Sequence, residues 1–130
     1  MSAEAVPPFI ALIAHDAKKE QMVAFVERHR NFLSTQRLVA TKTTGTLISA
    51  RTGLEVTTML SGPLGGDLQI GAMIATQQVK AVLFLRDPLT AHPHEPDISA
   101  LLKVCDIHNV PLATNAKTAE IILNSLTEHP

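Results

Sequence analysis

Phe9-Ile10-Ala11-Leu12-Ile13-Ala14 is an unbroken apolar run that stops abruptly at His15-Asp16. A strand with one face in water alternates apolar and polar residues. One that is apolar at every position is buried on both faces, which is the condition of a strand inside a parallel sheet covered by helices. Ala81-Val82-Leu83-Phe84-Leu85 has the same character and gives way to a polar segment at 87–97. Three shorter strands are expected at 38–41, 54–60 and 111–113.

Helical spacing fills the intervals. Met22, Phe25, Val26, His29 and Leu33 recur three or four apart. A short helix is predicted over 47–52, ended by Gly53, and another over 68–77, although Gly71 interrupts it. Ile98, Leu101, Leu102 and Cys105 share one face of a helix over 97–108. Ala119, Ile122, Leu123 and Leu126 share one face of a helix over 116–126. Strand and helix in alternation predict an α/β fold, a parallel sheet with helices on both faces. A chain of 130 residues without repeat or linker reads as one domain over 1–130.

Composition narrows the function. With no Trp, no Tyr and 4 Phe, the core must be aliphatic. Eleven Lys and Arg against 12 Asp and Glu give no electrostatic footprint for nucleic acid, and aromatic stacking platforms are missing too. No apolar run approaches the ~20 residues of a membrane helix. The opening MSAEAVPP is unlike a signal peptide, and Cys105 has no second cysteine to pair with, so it is expected as a buried, reduced thiol. The cytoplasm is the expected compartment.

The polar clusters each follow a strand. They are His15-Asp16, Thr41-Lys42-Thr43-Thr44-Gly45, Ser61-Gly62-Pro63-Leu64-Gly65-Gly66-Asp67, the segment 87–97, and Thr114-Asn115. In a parallel sheet all carboxyl ends lie on one edge, where ligands bind, so the five clusters converge on one cleft. The stretch at 41–45 offers three hydroxyls and backbone N–H groups at a helix start, which suits a phosphate; taken singly, capping by Thr44 alone is the commoner account of such a stretch. Lys19, one turn beyond His15, can reach back over the same edge. Three glycines at 62–66 let the backbone approach a ligand closely, but the GK[ST] ending of a P-loop is missing. Asp67 then reads either as a functional acid or as a helix N-cap. The segment 87–97 holds Asp87, His92, His94, Glu95 and Asp97 stiffened by three prolines; its spacing matches no familiar metal-ligand pattern, and Asp97 behind Pro96 is also a natural cap.

Taken together, AHD at 14–16, TxTTG at 41–45, SGPLGGDLQIGA at 61–72, DPL at 87–89, PHEPD at 93–97 and ATN at 113–115 resemble the methylglyoxal synthase family, in order and over nearly the whole chain. The resemblance implies a three-layer α/β/α fold with a five-stranded parallel sheet and a homohexamer. It implies conversion of dihydroxyacetone phosphate to methylglyoxal and inorganic phosphate, with no cofactor and no metal. Asp67 matches the family's catalytic acid and His94 its catalytic histidine. His15, Lys19, Thr41, Thr43, Thr44, Ser61 and Gly62 match substrate-binding positions, and Asp16, Asp87 and Asp97 match acids around the site. Lys42 departs from the family, which commonly has Gly there: Lys would be strained if that backbone needs positive φ, and otherwise adds a cation beside the phosphate. Free phosphate is expected to inhibit. Two other readings fit an α/β chain of this size. One is a non-catalytic domain that senses phosphorylated metabolites, which would need neither Asp67 nor His94. The other is a receiver-type signalling domain, which would need paired acids around Mg²⁺ after strand one.

Overall fold

The computed structural model describes residues 6–89 and 98–128. Among them, five strands form one parallel sheet: β1 (Phe9–Ala14), β2 (Arg37–Ala40), β3 (Thr57–Thr58), β4 (Val79–Leu85) and β5 (Leu112–Ala113), in the spatial order β3-β2-β1-β4-β5. The helices are α1 (Lys19–Arg28), α2 (Arg30–Leu33), α3 (Lys42–Thr52), α4 (Gly66–Ala75), α5 (Ile98–His108) and α6 (Ala116–Glu128). This is the three-layer α/β/α arrangement, and its strand order differs from the 2-1-3-4-5 order of receiver domains.

Alternation along β1 divides the core in two. Ile10, Leu12 and Ala14 point into one cluster with Met22, Phe25 and Val26 of α1, Ile48 of α3, and Ala119 and Leu123 of α6. Phe9, Ala11 and Ile13 point into the other with Ile70 and Ile74 of α4, and Leu101 and Cys105 of α5. The division follows from handedness. Connections that step from β1 to β2 to β3 put α1 and α3 on one face, and reversing direction puts α4 and α5 on the other, because parallel crossovers are right-handed. Cys105 is free and buried, and desolvation pushes its thiol up to about 11, so it is an inert part of the core.

Several boundaries differ from expectation. The helix predicted over 47–52 begins at Lys42, so the threonine stretch is the first turn of α3 rather than a loop; Gly53 ends it with φ 76° as expected. The strand predicted over 54–60 pairs at Thr57–Thr58 alone, because β3 is an edge strand with both residues exposed. The single helix expected to reach Leu33 breaks at His29 into α1 and α2. The helix predicted from 68 starts at Gly66.

Candidate active site

The strand order reverses between β1 and β4, and the crevice at the carboxyl ends of such a pair is where α/β sheets receive ligands. His15 and Asp87 meet across it. The His15 N–H donates to the Leu85 carbonyl at 3.1 Å, carrying the β1–β4 ladder one residue past the sheet. The Asp87 backbone N–H donates to His15 Nδ1 at 2.8 Å, and the ring stands edge-on to Phe84 with centroids 5.2 Å apart. An acceptor at Nδ1 puts the ring proton on Nε2, so His15 offers a donor from its far side. Asp87 Oδ1 accepts the Leu89 N–H at 3.0 Å, shaping the chain as it leaves the edge.

Lys19 does reach back over this edge. Its Nζ donates to Asp16 Oδ1 at 2.6 Å and to the Ala14 carbonyl, at the last residue of β1, at 3.3 Å. Asp16 therefore acts here as the partner that holds the ammonium.

Beside β1, the end of β2 runs directly into α3. Thr41 is the N-cap residue with extended backbone, and its side chain makes no cap hydrogen bond. The first helical bond runs from the Gly45 N–H to the Thr41 carbonyl at 2.9 Å, which leaves the N–H groups of Lys42, Thr43 and Thr44 without an intrahelical acceptor. Thr44 is the third helical residue, so it does not cap the helix; its Oγ1 is buried and has no hydrogen-bond partner. Lys42 has ordinary helical backbone, since Gln77 and Asn109 are the non-glycine residues with positive φ among those described. Glycine is thus not required there, and the strain alternative falls away. Lys42, Thr43, Thr46, Leu47, Ala50 and Ser61 line an open groove of about 540 Å³. A smaller pocket of about 170 Å³ lies at the opposite, amino edge of the sheet, against Phe9, Arg37 and Thr57, far from these residues.

The glycine stretch is a tight turn onto α4. Gly62–Leu64 is a 3-10 turn, Gly65 has φ 97°, and the Gly66 N–H donates to the Ser61 carbonyl at 2.9 Å. A Cβ on Gly66 would stand 1.7 Å from the Leu60 carbonyl oxygen, so no other residue fits without moving the backbone. Gln69, which sequence reasoning did not single out, clamps the turn by accepting the Leu60 N–H at 2.7 Å through Oε1. The N-cap position belongs to Gly65, which has no side chain, and Asp67 is the second helical residue; the capping explanation of Asp67 is therefore wrong. Phe84, which steadies the His15 ring, stands two residues before the strand's polar exit, a weak signal in the sequence because every residue there is apolar.

The fifth cluster is structural. Asn115 Oδ1 accepts the Thr118 N–H at 3.0 Å and caps α6. His92, His94, Glu95 and Asp97 lie outside the described residues.

Fold and site define an α/β protein with an open helix turn of threonines, a tethered lysine, a histidine donor and an acid at one sheet edge. The model of the MGS-like domain matches residues 21–114. A methylglyoxal synthase of Carboxydothermus hydrogenoformans is 62% identical over 117 residues, covering 90% of this chain and 97% of that protein. One from Cupriavidus metallidurans is 62% identical over 119 residues, covering 92% and 85%. The crystal structure of the methylglyoxal synthase from Elizabethkingia anophelis superposes with a TM-score of 0.87 at 45% identity, covering 90% of this chain and 77% of that one. The chain belongs to the methylglyoxal synthase family.

Proposed function

We propose that the protein is a lyase that converts dihydroxyacetone phosphate to methylglyoxal and inorganic phosphate. One observation carries the site assignment: the first turns of α3 and α4 open on the same sheet edge, and neither Thr44 nor Asp67 is used as a cap. The family relationship supplies the substrate.

The phosphate group is taken by the threonine turn, Thr41, Thr43 and Thr44, with Ser61, Gly62 and Lys19 beside it. Asp67 removes a proton from C3, the hydroxymethyl carbon, and the electron pair moves onto the C2 carbonyl to give an enediolate. His15, through Nε2–H, and His94 donate to that oxygen, where stabilising charge lowers the barrier most. Asp16 acts by holding Lys19, and Asp87 and Asp97 correspond, by the family relationship, to further acids of the site. With the C1–O bond held out of the enediolate plane, the π electrons expel phosphate. His94 shuttles the proton that completes the enol, which tautomerises to methylglyoxal. Free phosphate fits the same cradle and inhibits. Leu64 and Leu68, each exposed near 70% beside the turn into α4, support burial against further copies in a homohexamer. Among the described residues no helix is long and apolar enough to cross a membrane, and we place the enzyme in the cytoplasm.

The test is phosphate release and methylglyoxal formation from dihydroxyacetone phosphate, with Asp67→Asn beside the wild type. Turnover in the variant should fall by about 10²–10⁴-fold with substrate affinity largely kept, because Asn is nearly isosteric and cannot accept the proton. Near-wild-type turnover in Asp67→Asn would remove Asp67 as the base; no turnover in the wild type would remove the reaction.

A further inference from the structure

Helix N-termini ordinarily carry a capping side chain or an acid, because their free N–H groups and aligned peptide dipoles concentrate positive charge. The start of α3 has neither. Its first turn contains no acidic residue, and Thr41 makes no side-chain cap. Its first residue is itself a cation, Lys42, exposed and lining the groove with Thr43 and Ser61. Within the same turn the Thr44 hydroxyl is buried without a partner. Each of these features disfavours the ligand-free helix, and the arrival of one anion relieves all of them. The helical backbone at Lys42 shows that the residue is present without conformational need, since Ala or an acid would serve the start of the helix there equally well or better.

We infer that Lys42 is an affinity-setting cation for the phosphate site. From the first, exposed residue of the threonine turn, it tightens capture of a phosphate dianion, whether free or esterified to the triose, while lowering the stability of α3 when the site is empty. This rests on the phosphate cradle proposed above and adds to it a regulatory consequence. Substrate and product present the same charged group, so Lys42 strengthens substrate capture and product inhibition together and takes no part in bond breaking. Because the ammonium is exposed, its action is screened by salt, unlike that of the buried Thr44 hydroxyl.

The experiment compares the full-length wild type with Lys42→Ala and Lys42→Arg. Thermal midpoints are measured with and without inorganic phosphate at low and high sodium chloride, alongside KM, kcat and the phosphate inhibition constant. At low salt, Lys42→Ala should raise KM and the inhibition constant together by about two- to fivefold, the range expected of one charge at a helix end. The effect should fall on KM rather than kcat and fade at high salt. The midpoint without phosphate should rise or hold, the phosphate-induced rise should shrink, and Lys42→Arg should restore it. Unchanged constants at low salt, a loss that persists at high salt, or a loss confined to kcat would each overturn the inference. Phosphate stabilisation that depends on Lys42 in a protein inert toward dihydroxyacetone phosphate would support it while removing the proposed reaction. Turnover with a phosphate response indifferent to Lys42 would overturn it alone.

Discussion

His15 Nδ1 accepts the backbone N–H of Asp87 at 2.8 Å, so one side chain closes the gap between β1 and β4 just where the strand order reverses. The bond has two consequences that separate variants can split. It fixes the ring proton on Nε2, and it ties the chain leaving β4 to the end of β1. Asn at position 15 can reproduce the Nδ1 acceptor but not the Nε2 donor, and Gln the reverse. His15→Asn should therefore keep the thermal midpoint and raise KM. His15→Gln should keep KM more nearly and lose about 1 kcal/mol of stability, because the Asp87 N–H loses its partner. Equal effects of the two variants on both quantities would show that the bond positions nothing.

Gly65 and Gly66 are adjacent, and they differ sharply in what replaces them. A Cβ on Gly65 meets nothing within 4 Å, and the penalty is the left-handed backbone at φ 97°. A Cβ on Gly66 falls 1.7 Å from a backbone oxygen, which cannot rotate away. Gly65→Ala should cost about 1–2 kcal/mol in denaturant unfolding. Gly66→Ala should cost at least about 3 kcal/mol and abolish activity, because the turn that must shift is the one that delivers Asp67. Equal stability of the two variants, with activity retained in Gly66→Ala, would contradict the steric account.

The sequence reveals the interior of this fold better than its edges, and the reason is which face each residue addresses. Phe9–Ala14 is buried at every position, so its apolar run is unambiguous and its bounds coincide with those expected. The first turn of α3 starts at the sheet edge and carries hydroxyls instead of the helical apolar spacing, and Thr is a poor helix former. It reads as a loop for that reason. Thr57 and Thr58 are exposed on an edge strand, where burial cannot mark the paired residues. The sheet edge that carries His15, Lys19, Thr44 and Asp67 is legible from the alternation of strand and helix alone. What the sequence leaves open is whether Thr44 and Asp67 cap their helices, because capping and ligand binding use the same residue types at nearly the same positions. A displacement of two or three residues in the helix start decides it.

His29 lies at the break between α1 and α2, its ring 4.6 Å from that of Phe25 and its Nε2 buried without a hydrogen-bond partner. Glu120 of α6 stands 3.8 Å away, beyond hydrogen-bonding distance. Burial lowers the imidazole below its ordinary 6.5; Glu120 pulls it up and Arg28 pushes it down, and burial is the larger effect. A base whose folded value is depressed takes up its proton more readily in the unfolded chain. Its contribution is therefore complete above pH 6.5 and is lost as pH falls from there toward the folded value. The thermal midpoint should decline through that window in the wild type, and His29→Phe should flatten the decline by removing the titrating group while keeping an apolar ring. Parallel pH curves for the two proteins would show that His29 does not govern acid stability.

The Thr44 hydroxyl offers the most direct reading of the site as a built anion cradle. Thr44 is 1% exposed, and its Oγ1 has no partner, although buried hydroxyls are almost always satisfied. Valine matches threonine in shape and lacks the polar atom. If the hydroxyl served the fold, Thr44→Val would destabilise the protein. If it is kept for a ligand, the substitution removes an unsatisfied buried group and should stabilise the ligand-free chain, by about 1 kcal/mol, which for a domain of this size is a rise of about 3–5 °C in the thermal midpoint. The same variant should lose most of the rise produced by saturating phosphate and raise KM for dihydroxyacetone phosphate about tenfold, the effect of one lost hydrogen bond to a charged group. The two shifts have opposite signs, and a packing defect cannot produce both. A lower midpoint without phosphate, together with an undiminished phosphate response, would assign Thr44 to the fold and leave the first turn of α3 without its buried donor.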